Sequence, residues 1–131
     1  MAVLIDTDLL IEWERSEDAA VLERLARDEA RAISVISVSE LLHGVVRSAD
    51  ADRPRRRAFV EHILAALDPV PITEPVARVH ADIWAGLQQR GTMIGAHDLW
   101  IAATALAHGF GVATGKVRDF ERVPGLRLLS D

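Results

Sequence analysis

Short apolar runs alternate with longer amphipathic stretches along this chain, a pattern typical of strands that alternate with helices. The first run, "AVLI", leads directly into Asp6. Comparable apolar or β-branched runs predict five short strands, at residues 3–5, 32–36, 69–72, 111–114 and 127–129. Because these runs lack polar alternation, both faces of each strand should be covered. We therefore predict a parallel sheet with helices on both sides.

Helical periodicity fills the segments between the predicted strands. Pro54 after Asp52 is a typical helix start, because proline is favoured at the first helical position. Gly91 and Gly109 are typical helix ends. Helices are predicted to begin at residue 9 and to cover residues 19–30, 39–46, 54–67, 75–90 and 96–108. With 131 residues and no linker, the chain is expected to form one domain, residues 1–131.

Acidic side chains follow the ends of several predicted strands. Asp6 and Glu40 come after the first two strands, and Asp119 comes after the fourth. Asp98 opens the apolar helix that precedes the fourth strand. In a doubly wound sheet these positions meet at one edge, where such folds bind their ligands. Several converging carboxylates cannot all stay ionised without cations, and hard oxygen ligands suit Mg²⁺ or Mn²⁺.

Each acid also has a purely structural interpretation. Asp8 can cap the first helix, and Ser37-x-x-Glu40 fits a capping box. Asp98 can complement a helix dipole, and Asp119 can be a surface acid in a turn. These separate explanations do not account for the joint pattern, in which the acids recur at one edge of the predicted sheet.

Composition narrows the range of functions. The net charge is −5, from 15 Lys and Arg against 20 Asp and Glu, so the chain is not an obvious nucleic-acid binder. The arginine run of Arg53, Arg55, Arg56 and Arg57 is a candidate RNA contact, although such a run more often forms a solvated helix face, and Arg118 is a further candidate. The chain has no cysteine, which excludes thiolate metal sites and is compatible with the cytoplasm. No apolar stretch is long enough to span a membrane, and because the first residues lack a basic region and their apolar run breaks at Asp6, we expect no secretory signal.

Four motifs, in this order and at these separations, carry a resemblance to a known family. They are "LIDTDLLIE", "ISVISVSELLHGV", "GTMIGAHDLWIAATALAHG" and "VATGKVRDFERVPGLRLL". Together they cover most of the chain, which resembles the PIN-domain ribonucleases and specifically the VapC toxins of prokaryotic toxin–antitoxin pairs. The resemblance implies a three-layer α/β/α domain around a mostly parallel sheet of four to five strands.

The resemblance also implies an activity, a cofactor and partners. The activity is Mg²⁺- or Mn²⁺-dependent endonucleolytic cleavage of RNA, commonly tRNA or rRNA, by water, which leaves 3′-hydroxyl and 5′-phosphate ends. The partners are a second copy in a homodimer and a VapB-type antitoxin that folds over the active site. No membrane association is implied.

Transferred residue by residue, the first three acids of the family fall on Asp6, Glu40 and Asp98. Asp6 and Asp98 are then expected to bind the metal, with Asp8 as a supporting acid. The fourth position best matches Asp119, with Thr114 as the hydroxyl ahead of it. Many members carry Asp or Asn two places after that threonine, where this chain has Lys116. Lys116 could replace part of the charge of a second metal ion, or hold the scissile phosphate.

Two other classes share part of this pattern. "LIDTD" fits the Asp-x-Asp motif of haloacid-dehalogenase-type phosphatases, but Leu10 stands where that family needs Thr or Val. A non-catalytic module, either receiver-like or a degenerate PIN domain, is the other alternative. The joint presence of Asp6, Glu40 and Asp98 argues against the degenerate domain.

Overall fold

The computed structural model describes residues 2–16 and 29–129. The strands of this part of the chain are β1 (Ala2–Ile5), β2 (Ala30–Ser34), β3 (Asp68–Val70), β4 (Gly111–Ala113) and β5 (Leu128–Leu129). Its helices are α1 (Thr7–Ser16), α2 (Val35–Arg47), α3 (Arg53–Ala66), α4 (Glu74–Arg90), α5 (Ala96–His108) and α6 (Val117–Phe120). None of these helices is both long and apolar enough to cross a lipid bilayer.

The five strands form one parallel sheet in the order β3-β2-β1-β4-β5. The chain therefore winds outward from β1 in one direction through β2 and β3, and in the other through β4 and β5. The direction of winding reverses between β1 and β4, where Ile5 pairs with Ala113. Such a reversal leaves a crevice beyond the carboxyl ends of the two strands, the usual ligand site of open α/β sheets.

Helices cover both faces of the sheet, as predicted. Alternate residues of β1 point to opposite faces, and each face packs against its own set of helices. Val3 and Ile5 join the core cluster that contains Leu41 of α2 and Ile63 of α3. Leu4 joins the other cluster, which α4, α5 and α6 supply. This arrangement confirms the three-layer α/β/α class.

The second strand and the helix after it begin earlier than the sequence predicts. Strand β2 ends at Ser34, so Val35 and Ile36 are helical and not extended. The Ser34 side chain accepts a hydrogen bond of 3.0 Å from the backbone N–H of Ile36 and caps α2. Ser37 therefore lies inside α2, and the interpretation of Ser37 and Glu40 as a capping box is wrong. The helix begins early because the cap at Ser34 outweighs the strand preference of the β-branched residues that follow it.

The remaining boundaries agree closely with the prediction. Helix α5 has the predicted bounds, and Gly91 and Gly109 adopt the left-handed conformation that ends α4 and α5. Strand β3 begins at Asp68 and contains Pro69, which is tolerated because β3 is an edge strand. The helix predicted at residues 19–30 lies outside the described residues except at its end, where Ala30 begins β2.

The absence of a side chain at Gly111 lets β5 lie close to β4. A Cβ atom there would lie 2.9 Å from Leu129 Cδ1 and 3.0 Å from the Arg127 guanidinium. That guanidinium cannot easily move aside, because it donates to the Glu29 carboxylate at 2.7 Å and to the Ala2 carbonyl oxygen at 3.4 Å. Gly111 therefore provides the space for the interaction that ties the start of β5 to the starts of β1 and β2.

The substitution Gly111→Val is expected to lower the free energy of unfolding by about 1–3 kcal/mol, as overpacking of a tight core does. Urea denaturation followed by circular dichroism measures this loss. Gly115→Val is the matched control, because no atom lies within 4 Å of its Cβ position, and it should stay within about 0.5 kcal/mol of wild type. Equal losses in the two variants would contradict the packing role of Gly111.

Candidate functional site

The site is centred on the crevice between β1 and β4. Asp6 directly follows β1, and its backbone N–H extends the sheet by donating to the Ala113 carbonyl oxygen at 2.9 Å. Thr114 directly follows β4, and its hydroxyl donates to Asp6 Oδ2 at 2.8 Å. Both side chains are buried. Neighbouring strand ends therefore hold a carboxylate and a hydroxyl in contact, although the two residues are 108 positions apart in the chain.

Asp6 is a carboxylate with an unfavourable charge. Burial raises its pKa to about 6, and the nearby negative charges of Asp98 and Asp8 contribute in the same direction. The hydrogen bond from Thr114 and the charge of Lys116 oppose this shift without cancelling it. The groups around Asp6 therefore do not fully compensate the negative charge of its ionised form. A cation bound beside Asp6 would supply the missing compensation.

Asp98 approaches the same place from the first turn of α5. Its side chain is 12% exposed, and burial raises its pKa, helped by the negative charges of Glu40 and Asp8. Lys116 opposes that shift through its charge and a hydrogen bond. Lys116 is therefore the charged partner of Asp98 at the start of this apolar helix.

Lys116 lies among these acids. Its Nζ is 3.2 Å from Asp8 Oδ2 and 3.3 Å and 3.4 Å from the two carboxylate oxygens of Asp98. Burial alone would lower the pKa of Lys116, but its hydrogen bond to Asp8 and the charges of Asp98, Asp6 and Asp8 raise that pKa above its ordinary value. The ammonium group therefore stays charged and links α1 to α5 across the crevice.

Glu40 is held in place by a chain of hydroxyl groups. The Thr7 hydroxyl lies 2.8 Å from Glu40 Oε1 and 2.8 Å from the Ser37 hydroxyl. Because the single proton of Thr7 goes to the carboxylate, Ser37 must donate to Thr7. The second oxygen of Glu40 lies 3.4 Å from Nδ1 of His97. Since Ser37 precedes Glu40 by one helical turn, both face α1, and this explains the Ser37-x-x-Glu40 spacing.

A shallow groove runs alongside these acids. One part is lined by Asp8 of α1 and by Ser39 and His43 of α2, and the other by Asp98 and Lys116, with Glu40 and His97 shared by both. The walls combine charged and polar side chains with apolar surface such as that of Ile11, and they are open to solvent at His97, whose side chain is 61% exposed. A flexible, charged strand could therefore reach the carboxylates along this groove.

The remaining candidates lie less centrally. Asp119 is half-buried in α6, and it is not among the main charges that shift the pKa values of Asp6 and Asp98 in the described part of the chain. Arg53 and Arg55 pair with Asp50 and Asp52 at 3.0 Å and 3.8 Å, and Arg56 pairs with Glu14 at 2.9 Å. Arg118 is exposed on α6. None of these five candidates lines the groove within the described residues.

Sequence reasoning missed three contributors to this site. Thr7 stands between two acids in "DTD", and its position alone does not reveal that it orients Glu40. The sequence assigns Ser37 to a cap, and no sequence pattern marks His97 as a site residue. The spacing of Ser37 and Glu40 was a usable signal, because residues three apart on a helix share a face. No comparable spacing in the sequence indicates the contact between His97 and Glu40.

Comparison with known proteins assigns this arrangement to a family. The PIN domain family matches residues 3–126. Among curated relatives, ribonuclease VapC1 of Rickettsia felis is 33% identical over 131 residues, with 99% of this chain and 96% of the relative covered. The tRNA(fMet)-specific endonuclease VapC of Salmonella typhimurium is 31% identical, with 95% and 94% covered. Both similarities extend over almost the full length of each protein.

Solved structures show the same fold. The DNA-bound VapBC structure from Salmonella typhimurium contains a chain with a TM-score of 0.91 and 29% identity, and the alignment covers 99% of this chain and 98% of that one. A chain of VapBC2 from Rickettsia felis, bound to a promoter DNA fragment, has a TM-score of 0.90 and 25% identity, with 100% and 99% covered.

Proposed function

Because this chain belongs to the PIN-domain family, we propose that it is a VapC-type toxin, a metal-dependent endoribonuclease formed by one domain over residues 1–131. The observation that carries this proposal is the convergence of Asp6, Glu40 and Asp98 beside the switch point of the sheet. Asp6 follows β1, Glu40 lies on α2 and Asp98 lies on α5, so the three acids come from distant parts of the sequence. The three carboxylates do not bind one another, and their proximity raises the cost of keeping them ionised. The same three residues are the acids that the family motifs predict.

The chemistry of the site fits a divalent cation of the Mg²⁺ or Mn²⁺ type. The carboxylates that meet there offer oxygen ligands, which such ions prefer. The raised pKa values of Asp6 and Asp98 support this assignment, because both carboxylates lack full compensation of their charge. Within the described residues, no three His, Asp or Glu side chains already form a ready-made metal cage. Asp6 and Asp98 would hold the ion, which would supply Lewis acidity toward the phosphodiester and acidify a water molecule.

The chain's own residues prepare this site. Thr114 orients Asp6 through its hydroxyl, and Thr7 orients Glu40 in the same way. Glu40 would act through water or as a further ligand, facing the groove in which the RNA backbone would lie. Lys116 and Asp8 would support the site by balancing its charge. Because these groups are preorganised, little rearrangement would be needed when negative charge develops on the scissile phosphate.

Asp119 remains our candidate for the fourth acid of the family. It lies on α6, three residues after Lys116 and six residues after the end of β4. From there it would act through water or as a further ligand. The arginines Arg53, Arg55, Arg56 and Arg118 remain candidate contacts to RNA outside the groove, with Arg55 the most exposed of the three whose ion pairs are described.

The substrate would be a structured RNA, of the tRNA or rRNA class. The similarity to a relative named as a tRNA(fMet)-specific endonuclease supports tRNA in particular. Attack by water, and not by the ribose 2′-hydroxyl, would leave 3′-hydroxyl and 5′-phosphate ends. The similarity to chains from VapBC complexes supports a VapB-type antitoxin as the partner that neutralises the toxin.

Self-association and location follow from the same assignment. We expect a homodimer that works in the cytoplasm without a membrane. The half-exposed Trp84, together with Met93, provides an apolar surface suited to self-association. The phosphatase alternative rested on "LIDTD" alone, and membership of the PIN family accounts for that motif. A metal-free binding module remains the second candidate.

The proposed function is tested by cleavage of RNA by the purified protein. Total bacterial RNA is incubated with the protein and Mn²⁺, and new 5′-phosphate ends are sequenced. We expect ends at a few sites that disappear with EDTA and return with excess Mn²⁺. Binding of RNA without new ends would favour the binding module. Ends carrying a 5′-hydroxyl would contradict hydrolysis by water.

A further inference from the structure

Lys116 occupies an unusual position for a cation in a site built from carboxylates. Its Nζ lies within 3.4 Å of Asp8 on α1 and of both oxygens of Asp98 on α5. The side chain is 34% exposed, so it is enclosed but not sealed from water. Within the described residues, the ion pairs and hydrogen bonds of its ammonium group all go to these two acids.

The backbone of Lys116 is fixed by the same group that orients Asp6. Its N–H donates to the Thr114 hydroxyl oxygen at 2.8 Å, while that hydroxyl donates to Asp6 Oδ2 at 2.8 Å. The loop from Thr114 to Lys116 therefore has a defined path, with Gly115 between them. Because this path starts at the end of β4, the position of the strand in the sheet fixes where the Lys116 backbone lies relative to the acids.

We infer that the Lys116 ammonium is a resident cation of the carboxylate cluster, and that it limits the site to one divalent ion per chain. This inference rests on the proposed function of the same site. Beyond Asp6 and Asp98, which would hold the first ion, a second ion would need Asp8, whose Oδ2 Lys116 already contacts at 3.2 Å. It would also lie beside a fixed positive charge, and two cations at such short range repel strongly where water is partly excluded.

Charge counting is consistent with this role. Asp6, Asp8, Glu40 and Asp98 carry four negative charges when ionised, and Lys116 compensates one of them. One divalent ion compensates two more and leaves a slight negative excess. Before the ion binds, Lys116 also lowers the repulsion between Asp8 and Asp98, so the metal-free protein can keep its acids together.

The test counts bound Mn²⁺ in wild type and in Lys116→Asn by calorimetric titration. Electron paramagnetic resonance of the same samples distinguishes an isolated Mn²⁺ from a coupled pair. We expect one isolated Mn²⁺ in wild type and a coupled pair in Lys116→Asn, with the first ion bound at least about tenfold more tightly in the variant. The resonance is recorded at saturating Mn²⁺, so the comparison does not depend on how stable the variant is without metal.

Two variants serve as controls. Lys116→Arg keeps the positive charge and should bind one Mn²⁺. Arg78→Met removes a positive charge from the exposed ion pair with Glu74 on α4, and it should leave both the count and the affinity unchanged. A second Mn²⁺ in Arg78→Met would mean that net charge, and not the position of Lys116, sets the number of ions.

The outcomes separate this inference from the proposed function. A coupled pair in wild type, or one Mn²⁺ of unchanged affinity in Lys116→Asn, overturns the inference. If the count stays at one and the variant loses affinity for RNA, Lys116 holds the phosphate instead. In each of these cases RNA cleavage by wild type still supports the nuclease. Absence of both Mn²⁺ binding and cleavage in wild type would overturn the inference together with the proposed function.

Discussion

Asp98→Asn is expected to lower RNA cleavage by at least about a hundredfold to a thousandfold while the fold stays intact. Asn keeps the shape of the side chain but loses the negative charge that would hold a divalent ion. Stability should change little, because two effects oppose each other. The variant loses the charge attraction to Lys116, whose Nζ lies 3.3 Å and 3.4 Å from the Asp98 oxygens, but it also no longer buries a charge, the cost that raises the pKa of Asp98.

Sequencing of 5′-phosphate ends after expression in a bacterium measures this loss, and circular dichroism checks the fold. Asp82→Asn is the matched control, because Asp82 is exposed on α4 and should retain wild-type cleavage. Asp119→Asn, tested alongside, measures the contribution of the fourth acid. Full activity in Asp98→Asn would contradict the assignment of the site.

Asp6→Asn is expected to abolish cleavage and, in the presence of EDTA, to stabilise the protein by about 1–3 kcal/mol at pH 7.5. The pKa of Asp6 is about 6 in the folded protein against an ordinary value of 3.8. Between these two values the folded state binds more protons than the unfolded state. The free energy of unfolding therefore falls as pH rises from about 4 to 6, and the loss persists above pH 6. Asn removes that loss and can still accept the Thr114 hydrogen bond.

Urea denaturation in EDTA at pH 7.5 and at pH 4 measures this prediction. At pH 4 the two proteins should differ little, because the buried Asp6 is then largely protonated and wild type no longer carries the unfavourable charge. Asp82→Asn again serves as the control and should match wild type at both pH values. A variant that is less stable than wild type at pH 7.5 would show that the ionised Asp6 is well compensated inside the protein.

The opposite expected effects of Asp6→Asn on activity and stability have one cause. A carboxylate that is ready for a cation must be left partly uncompensated in the metal-free protein, and that state costs stability. Thr114 limits the cost by donating one hydrogen bond. The site thus departs from the local rule that buried charges are paired, as functional sites often do.

The sequence by itself determined the elements, the sheet class and three of the acids. Helix α5 and the ends of α4 and α5 at Gly91 and Gly109 were predictable, because periodicity and capping are local properties. The start of α2 was not, because a single hydrogen bond within Ser34–Ile36 outweighed a β-branched run. Position next to a strand indicated Asp6, Glu40, Asp98 and Asp119 alike, and the family resemblance separated the first three from Asp119.

Only the tertiary structure decided how these residues meet. The contact between Asp6 and Thr114 spans 108 positions and exists because β1 and β4 are neighbours at the switch point of the sheet. The contacts of Lys116 with Asp8 and Asp98 depend on how α1 and α5 flank that point. Strand order is set by how the whole core packs, so local sequence patterns do not specify it. The acids can thus be found from the sequence, whereas their partners can be found only from the fold.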